Sequence, residues 1–252
     1  MLACAVLLVT QTSRAGEALV AVATNFSDVM AQLEIDYARQ SGHRLTVVTG
    51  SSGKLYAQIF HGAPFALLLS ADQWRPRELE DQGLAVRGSR FTYAVGRLAL
   101  WSADAELLAR DGAAVLQAGD FRKLALANPD LAPYGRAALE TLQALGVYES
   151  LQGRLVVGEN VGQAHAMVAT GNAELGFVSA SYLAGPLGQG RGSRWLVPQD
   201  CHSPVRQDVV LLDADNVAAR GFIEYLRSGQ AKRIIEGFGY ATETPAASAT
   251  LD

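Results

Sequence analysis

Short apolar runs that alternate with helical segments ending at glycine are the strongest constraint on how this chain folds. A glycine after the last helical turn is the usual C-terminal stop, and Gly42, Gly62, Gly146 and Gly171 stand at such places. Alternating strands and helices predict an α/β fold with largely parallel sheets and helices on both faces. The predicted strands are Ala18–Ala23, Arg44–Thr49, Phe65–Ser70, Phe91–Trp101, Leu124–Ala127, Leu155–Val157, Leu175–Val178, Trp195–Val197 and Asp208–Leu212. The predicted helices are Phe26–Gln40, Lys54–Phe60, Arg136–Leu145 and Gln163–Ala169, followed by a closing helix pair over 217–238.

The 252 residues are enough for two modest domains, since a domain usually has roughly 100–200 residues. The long segment Phe91–Trp101 is interrupted by Gly96, which predicts a crossing between two lobes, and Asp208–Leu212 predicts the return. We therefore expect one lobe from residues 17–94 and 207–252 and the other from residues 95–206. Ligands of such folds bind in the crevice at the carboxyl ends of the strands.

The first residues are typical of an export signal. Leu2–Val9 is an apolar run of signal-peptide length, and Ser13-Arg14-Ala15 resembles a cleavage site. Residues 1–15 are thus predicted to be a signal peptide, although no positive charge precedes the apolar run; a buried N-terminal strand is the alternative. Removal of Cys4 with the signal leaves Cys201 alone, so neither a disulfide framework nor a cysteine metal site is expected in the mature chain.

Composition excludes several classes of protein. A hydrophobic content of 49% rules out a disordered chain, and a net charge of -4 argues against a nucleic-acid partner, which needs clustered Lys and Arg. No later apolar run approaches the length of a membrane span, which predicts a soluble protein outside the cytoplasmic membrane. The four histidines lack metal-ligand spacing, and no cofactor is expected.

Small or hydroxylic residues stand at four predicted junctions between a strand and a helix. Taken singly, each junction is typical of an ordinary helix cap. A helix N-terminus also offers free N–H donors and a partial positive charge, so four of them around one crevice would form a cage of uncharged donors for a small anion. The junctions are Thr24-Asn25, Ser51-Ser52-Gly53, Pro133-Tyr134-Gly135 and Asn160-Val161-Gly162.

The junction tips contain no carboxylate, although Asp28 and Glu159 are near in sequence. A fully deprotonated tetrahedral anion has only acceptors and suits a site made of donors, whereas a protonated phosphate needs an acceptor. The sequence therefore favours a sulfate-like or molybdate-like ion over phosphate.

Collinear motifs across residues 17–240 carry a resemblance to a known family. The chain resembles the periplasmic molybdate-binding proteins of ABC transporters. This resemblance implies a two-lobed periplasmic binding protein-like fold of type II that closes on molybdate or tungstate, with a permease in the inner membrane as partner and a monomeric state. The motifs are Ala23-Thr24-Asn25-Phe26, Gly50-Ser51-Ser52-Gly53, Gly62-Ala63-Pro64, Ser70-Ala71-Asp72, Asn128-Pro129, Ala132-Pro133-Tyr134-Gly135, Asn160-Val161-Gly162-Gln163-Ala164-His165, Leu175-Gly176-Phe177-Val178 and Gly237-Phe238-Gly239-Tyr240.

The resemblance also implies the residues that contact the oxyanion. They would be Thr24, Asn25, Ser52, Tyr134 and the backbone N–H of Val161, with Ser51 as a neighbour. Molybdenum or tungsten would be present only within the bound oxyanion. The chain departs from some members in having Ser179 where they place an anion-contacting tyrosine, while those members have alanine at the position of Tyr134.

Two other functions remain open at this point. One is a binding protein for sulfate, thiosulfate or another small anion, which the same donor cage would suit. The other is a serine acyl-transfer enzyme, because Ser51-Ser52-Gly53-Lys54 matches the S-x-x-K motif; its companion K-T-G element is missing. We expect His165 to pack rather than act as a base, and Asp72 to be a cap or turn residue.

Overall fold

The computed structural model describes residues 15–109, 111–185 and 191–243. The predicted signal residues before Ala15, most of the glycine-rich stretch 185–192 and the end of the chain lie outside the described residues. The strands are β1 (Glu17–Ala23), β2 (Arg44–Gly50), β3 (Leu67–Leu69), β4 (Phe91–Gly96), β5 (Leu98–Ser102), β6 (Leu124–Ala127), β7 (Leu155–Gly158), β8 (Leu175–Ser179), β9 (Ser193–Leu196) and β10 (Val205–Leu211). The helices are α1 (Ser27–Ser41), α2 (Ser52–Phe60), α3 (Trp74–Asp81), α4 (Gly112–Ala118), α5 (Pro133–Ala144), α6 (Tyr148–Leu151), α7 (Val161–Ala169), α8 (Ser181–Ala184), α9 (Val217–Leu226) and α10 (Gly229–Gly237).

The strands form two five-stranded sheets, in the orders β2-β1-β3-β10-β4 and β7-β6-β8-β5-β9. The prediction of largely parallel sheets is wrong, because both sheets are mixed. In the first sheet β1 pairs in parallel with β2 and β3, while β10 is antiparallel to β3 and β4. In the second sheet β5 is antiparallel to β8 and β9. The strands β5 and β10 each follow a crossing between the sheets, and each is antiparallel to its neighbour in the parallel part of its sheet.

The predicted strand Phe91–Trp101 is divided between the sheets. Its first part ends in the first sheet at Gly96, and its second part begins in the second sheet at Leu98. The return strand β10 pairs with β4 from Val205 onward. The chain therefore passes between the sheets twice at neighbouring positions, which is the arrangement of a hinge. The exact lobe boundaries stay a prediction.

Four helices were not predicted. Two of them, α6 and α8, have only four residues each, and the other two are poor in apolar residues that reach the core. Only Pro76 and Leu79 of α3 and Gly112 and Leu116 of α4 are buried, so hydrophobic periodicity gave no signal. Beyond the last helix, the chain is still paired with β4 at Ala241. Ala241 exchanges two backbone hydrogen bonds with Val95, at 2.7 and 3.0 Å.

Large apolar side chains fill the space between each sheet and its helices. Phe26 and Phe222 are fully buried against the first sheet, and Leu98 and Leu142 are fully buried at the second. Burying such a side chain stabilises a fold by about 1.5–3 kcal/mol, so each sheet has its own core. No helix among the described residues has both the length and the apolar character needed to cross a membrane.

Candidate functional site

All four predicted junctions are helix starts in the structure. Thr24 begins a short 3-10 turn that leads into α1, and Ser52, Pro133 and Val161 are the first residues of α2, α5 and α7. The N–H groups of a first turn have no acceptor within their own helix. The two junctions of the first sheet and the two of the second therefore each present donors that need acceptors outside the backbone of their own helix.

The capping residues show why the sequence starts its helices here. Ser51 precedes α2 and its hydroxyl accepts a hydrogen bond from the Lys54 N–H at 3.4 Å, while the Asn160 side chain accepts one from the Gln163 N–H at 3.0 Å before α7. Ser51 thus caps α2, and its neighbour Ser52 is the residue of this junction whose groups can donate to an ion.

Direct contacts bring the four helix starts together. The Gly53 N–H at the start of α2 donates to the Leu131 carbonyl, ahead of α5, at 2.8 Å. A Cβ at Gly162, at the start of α7, would lie 2.6 Å from Thr24 Cγ2. That approach is closer than real Cβ atoms allow, so a glycine is required for Thr24 to reach α7.

An ion pair also joins the starts of α2 and α7. Lys54 Nζ lies 3.1 Å from Glu159 Oε2, and their side chains are 52% and 34% exposed. An exposed pair of this kind contributes about 0–1 kcal/mol to stability. It shows mainly that the starts of the two helices are close together. The Lys54 amine is hydrogen-bonded to both carboxylate oxygens of Glu159, and this arrangement gives no support to the S-x-x-K acyl-transfer hypothesis.

Thr24 holds an unsatisfied polar atom. Among the described residues, Thr24 Oγ1 is the one buried side-chain oxygen or nitrogen without a hydrogen-bond partner. The Thr24 carbonyl, in contrast, accepts a hydrogen bond from the Tyr182 hydroxyl at 2.8 Å. A buried hydroxyl left unpaired costs about 1–3 kcal/mol. An atom of this kind at the meeting point of two helix starts indicates a position that a ligand would satisfy.

The Ser52 hydroxyl is arranged as a donor. Ser52 is 1% exposed, and its Oγ accepts a hydrogen bond from the Ala71 N–H at 2.9 Å. The bond to Ala71 occupies a lone pair and fixes the oxygen, and the serine proton has no acceptor among the residues described. It is therefore free to be donated to an acceptor between the helix starts.

The Asn25 amide is committed to the protein. Both hydrogens of Asn25 Nδ2 are donated, one to Gln207 Oε1 at 2.8 Å and one to the Tyr240 hydroxyl at 2.9 Å. The side-chain amide consequently has no hydrogen left for an ion. Any contact of Asn25 with an anion must come from its backbone N–H.

Tyr134 is the second residue of α5 and is buried, and its phenol lies at the hinge. Its hydroxyl oxygen accepts hydrogen bonds from Ser179 Oγ at 3.0 Å and from Gln207 Nε2 at 3.4 Å. Burial raises the pKa of the Tyr134 hydroxyl well above its ordinary value, so the hydroxyl is protonated at neutral pH. The Ser179 hydroxyl therefore donates to the phenol of Tyr134, a residue that belongs to the start of α5.

A buried polar network that was not predicted lies behind these residues. Gln207 and Tyr240 belong to it, together with Ser181, whose Oγ donates to the Asn25 carbonyl at 3.1 Å. The available signal was the pair Gln207-Asp208 in β10, whose other residues are apolar except for Arg206. Both side chains are fully buried, and a buried polar side chain must find partners.

Two other sequence predictions concern residues beside the site. Asp72 Oδ1 accepts a hydrogen bond from the Arg75 N–H at 3.0 Å and its carboxylate pairs with the Arg75 guanidinium, as expected of a turn residue. His165 stacks on Trp101 with ring centroids 4.7 Å apart. Burial lowers the pKa of His165, which favours the neutral imidazole. Its role is therefore packing, as predicted.

Comparison with known proteins decides the family. The family model of bacterial extracellular solute-binding proteins matches residues 18–241. The chain belongs to this family. As a solute-binding protein it binds its ligand without chemical change, so it is not an enzyme, and its α/β fold with two mixed sheets is that of periplasmic binding proteins.

Individual relatives are similar over almost the whole solute-binding protein. The molybdate-binding protein ModA of Rhodobacter capsulatus is 46% identical over 231 residues, which cover 91% of this chain and 90% of the relative. The protein of the same name from Azotobacter vinelandii is 44% identical over 96% of this chain and 94% of the relative. The solved structure of the periplasmic molybdate-binding protein of Azotobacter vinelandii matches with a TM-score of 0.87 at 38% identity, covering 90% of this chain and 100% of that structure.

Proposed function

We propose that this solute-binding protein captures molybdate or tungstate between its two lobes and delivers the ion to an ABC-transporter permease. The observation that carries the proposal is the buried, unpartnered Thr24 Oγ1 at the junction of helix starts from both sheets. The names of the similar proteins from Rhodobacter capsulatus and Azotobacter vinelandii support the choice of ion.

The proposed contacts come from uncharged groups. The hydroxyls of Thr24, Ser52 and Tyr134 would donate to the ion, together with the backbone N–H groups of Asn25 and Val161. Hydrogen bonds to a charged group contribute about 1.5–3 kcal/mol each, and micromolar affinity needs about 8 kcal/mol. Five donors are therefore sufficient without a positively charged side chain.

Capture would be coupled to closure of the two lobes. One lobe comprises residues 17–94 and 207–252, and the other comprises residues 95–206. Thr24 and Ser52 belong to one lobe, and Tyr134 and Val161 to the other, so only the closed form offers all donors at once. A ligand shifts such an equilibrium by its differential affinity for the two states. The Gly53–Leu131 hydrogen bond and the Lys54–Glu159 pair would form as the lobes meet.

The remaining parts of the proposal concern the setting of the protein. We infer export to the periplasm with removal of residues 1–15, action as a monomer, and delivery to a permease in the inner membrane. The extracellular family supports an exported protein. Neither a nucleic-acid partner nor a resident cofactor is part of the proposal, since the bound oxyanion is cargo.

A competition titration tests this function. The purified chain is titrated with molybdate, tungstate, sulfate and phosphate, and binding is measured by calorimetry and by tryptophan fluorescence. Molybdate and tungstate are expected to bind alike and most tightly. Sulfate is smaller and would make longer, weaker bonds, and phosphate carries a proton that the donor cage cannot accept. Preference for sulfate or thiosulfate would favour the alternative anion receptor, and preference for phosphate would contradict the donor-only site.

A further inference from the structure

The side chain of Gln207 connects the two halves of the proposed site. It is fully buried on β10, the strand that returns from the second sheet to the first. Its Oε1 accepts hydrogen bonds from Asn25 Nδ2 at 2.8 Å and from the Tyr93 hydroxyl at 3.2 Å, and its Nε2 donates to the Tyr134 hydroxyl at 3.4 Å. One amide therefore contacts a residue of a helix start on each sheet.

The backbone of β10 explains how Gln207 reaches this position. The pairing of β10 with β4 shifts register between Gln207 and Asp208, and a bulge of this kind redirects the side chains beside it. Gly96 on β4 leaves the necessary space, because a Cβ there would lie 2.0 Å from the Tyr134 hydroxyl oxygen and 2.8 Å from Gln207 Nε2. The bulge and the glycine together place the amide against the phenol.

The direction of the hydrogen bonds decides what the phenol can do. The Tyr134 oxygen accepts from both Ser179 Oγ and Gln207 Nε2. Two donors occupy its two lone pairs, so its own proton must go to a third partner, for which the Tyr240 hydroxyl and a bound ion would compete. The Gln207 amide is held in this orientation because its oxygen accepts from Asn25 Nδ2, with the single Tyr93 hydrogen shared between that oxygen and the Ser70 carbonyl.

We propose that Gln207 is a positioning residue that makes Tyr134 a hydrogen-bond donor toward the bound oxyanion. By the same bonds it fixes Asn25, whose backbone N–H belongs to the proposed cage. A phenol held in this way cannot accept a proton from the ion, so Gln207 contributes to the preference for fully deprotonated anions. This inference rests on the proposed function, with molybdate as the ion.

The test compares Gln207→Glu with Gln207→Leu in molybdate titrations at about pH 6 and about pH 9. Full burial at position 207 should raise the pKa of a glutamic acid there above its ordinary value and into the range of this titration. A protonated glutamic acid resembles glutamine and can still donate to Tyr134, whereas a carboxylate can only accept and would take the Tyr134 proton from the ion. The affinity of Gln207→Glu relative to the unmodified protein should be within about tenfold at the lower pH. It should fall by a further factor of about 100 at the higher pH. The affinity of each variant is divided by that of the unmodified protein at the same pH, which removes the effect of any titration of the ion.

Gln163→Glu is the matched control. Gln163 is exposed near the start of α7, and its Oε1 accepts from the Glu159 N–H at 2.7 Å, a bond that a carboxylate preserves. This variant adds the same charge but should show a pH-independent affinity ratio. Gln207→Leu, which can neither donate nor titrate, should bind about tenfold or more weakly at both pH values.

The outcomes separate this inference from the proposed function. If the unmodified protein does not bind molybdate, the proposed function is wrong and the role of Gln207 falls with it. If the unmodified protein binds and Gln207→Leu binds equally well while only its melting temperature falls, Gln207 is merely structural. Equal affinity ratios for Gln207→Glu at both pH values, or the same pH response in Gln163→Glu, would also overturn the inference. Should Gln207→Glu fail to fold, the affinity of Gln207→Leu decides alone.

Discussion

Replacing Thr24 with valine separates binding from folding more cleanly than any other single change. Thr24 Oγ1 is buried without a partner in the protein, and valine has nearly the same shape without the hydroxyl. In the closed form the substitution removes an unsatisfied group when no ion is bound, and it removes a donor when the ion is bound. Stability and affinity should therefore change in opposite directions.

The magnitudes follow from the same atom. An unpaired buried hydroxyl costs about 1–3 kcal/mol, so the free energy of unfolding of the empty Thr24→Val protein should rise by about 1 kcal/mol. In a chain of this size that corresponds to roughly 2–4 °C in melting temperature. Loss of a hydrogen bond to a charged group, about 1.5–3 kcal/mol, weakens molybdate binding by about 10- to 150-fold.

Thermal unfolding of the empty protein and calorimetric titration with molybdate measure the two quantities. Thr141→Val is the matched control, because the Thr141 hydroxyl is fully buried and donates to the Ala137 carbonyl at 2.8 Å, away from the ion. That variant should lose about 1 kcal/mol of stability and keep its affinity. A Thr24→Val protein that is less stable when empty and binds molybdate normally would refute the reasoning.

Three further predictions concern other parts of the site. Ser52→Ala should weaken molybdate binding by about 10- to 100-fold in a calorimetric titration, whereas Ser51→Ala should mainly cost about 1 kcal/mol of stability as a lost cap; equal affinity losses would contradict this assignment. Gly162→Ala should hold the lobes apart at Thr24, which small-angle scattering with molybdate would detect as a larger radius of gyration, and an unchanged radius would count against it. Burial lowers the pKa of His165, so stability should be lost as pH falls below the ordinary histidine value of about 6.5, and His165→Phe should flatten that part of a pH series of denaturant unfolding curves; an unaltered slope would show that another group titrates.

The local parts of the fold could be predicted because their signals lie within a few residues. Ser51 and Asn160 are helix caps in sequence and in structure, and the interruption at Gly96 marks the crossing between sheets. The helices α2, α5 and α7 begin within the predicted junctions, two or three residues before the predicted helix bounds. Turn chemistry and hydrophobic patterns are therefore sufficient to locate the four junctions but do not show that they meet.

The tertiary parts could not be predicted because they depend on residues far apart in the chain. Asn25 and Gln207 are separated by 182 positions, and nothing near Asn25 reveals that its amide is already committed. The direction of β10 depends on a crossing between sheets rather than on its own sequence. The unsatisfied state of Thr24 Oγ1 likewise follows from packing against Gly162, which no local pattern encodes.

The most direct test of a shared donor cage is a crystal structure of the chain grown with molybdate and measured near the molybdenum absorption edge. The account predicts one strong anomalous peak between the starts of α2, α5 and α7. The oxygens around that peak should lie about 2.7–3.2 Å from Thr24 Oγ1, Ser52 Oγ and the Val161 nitrogen. A peak elsewhere on the protein, or an ion held by charged side chains, would contradict it.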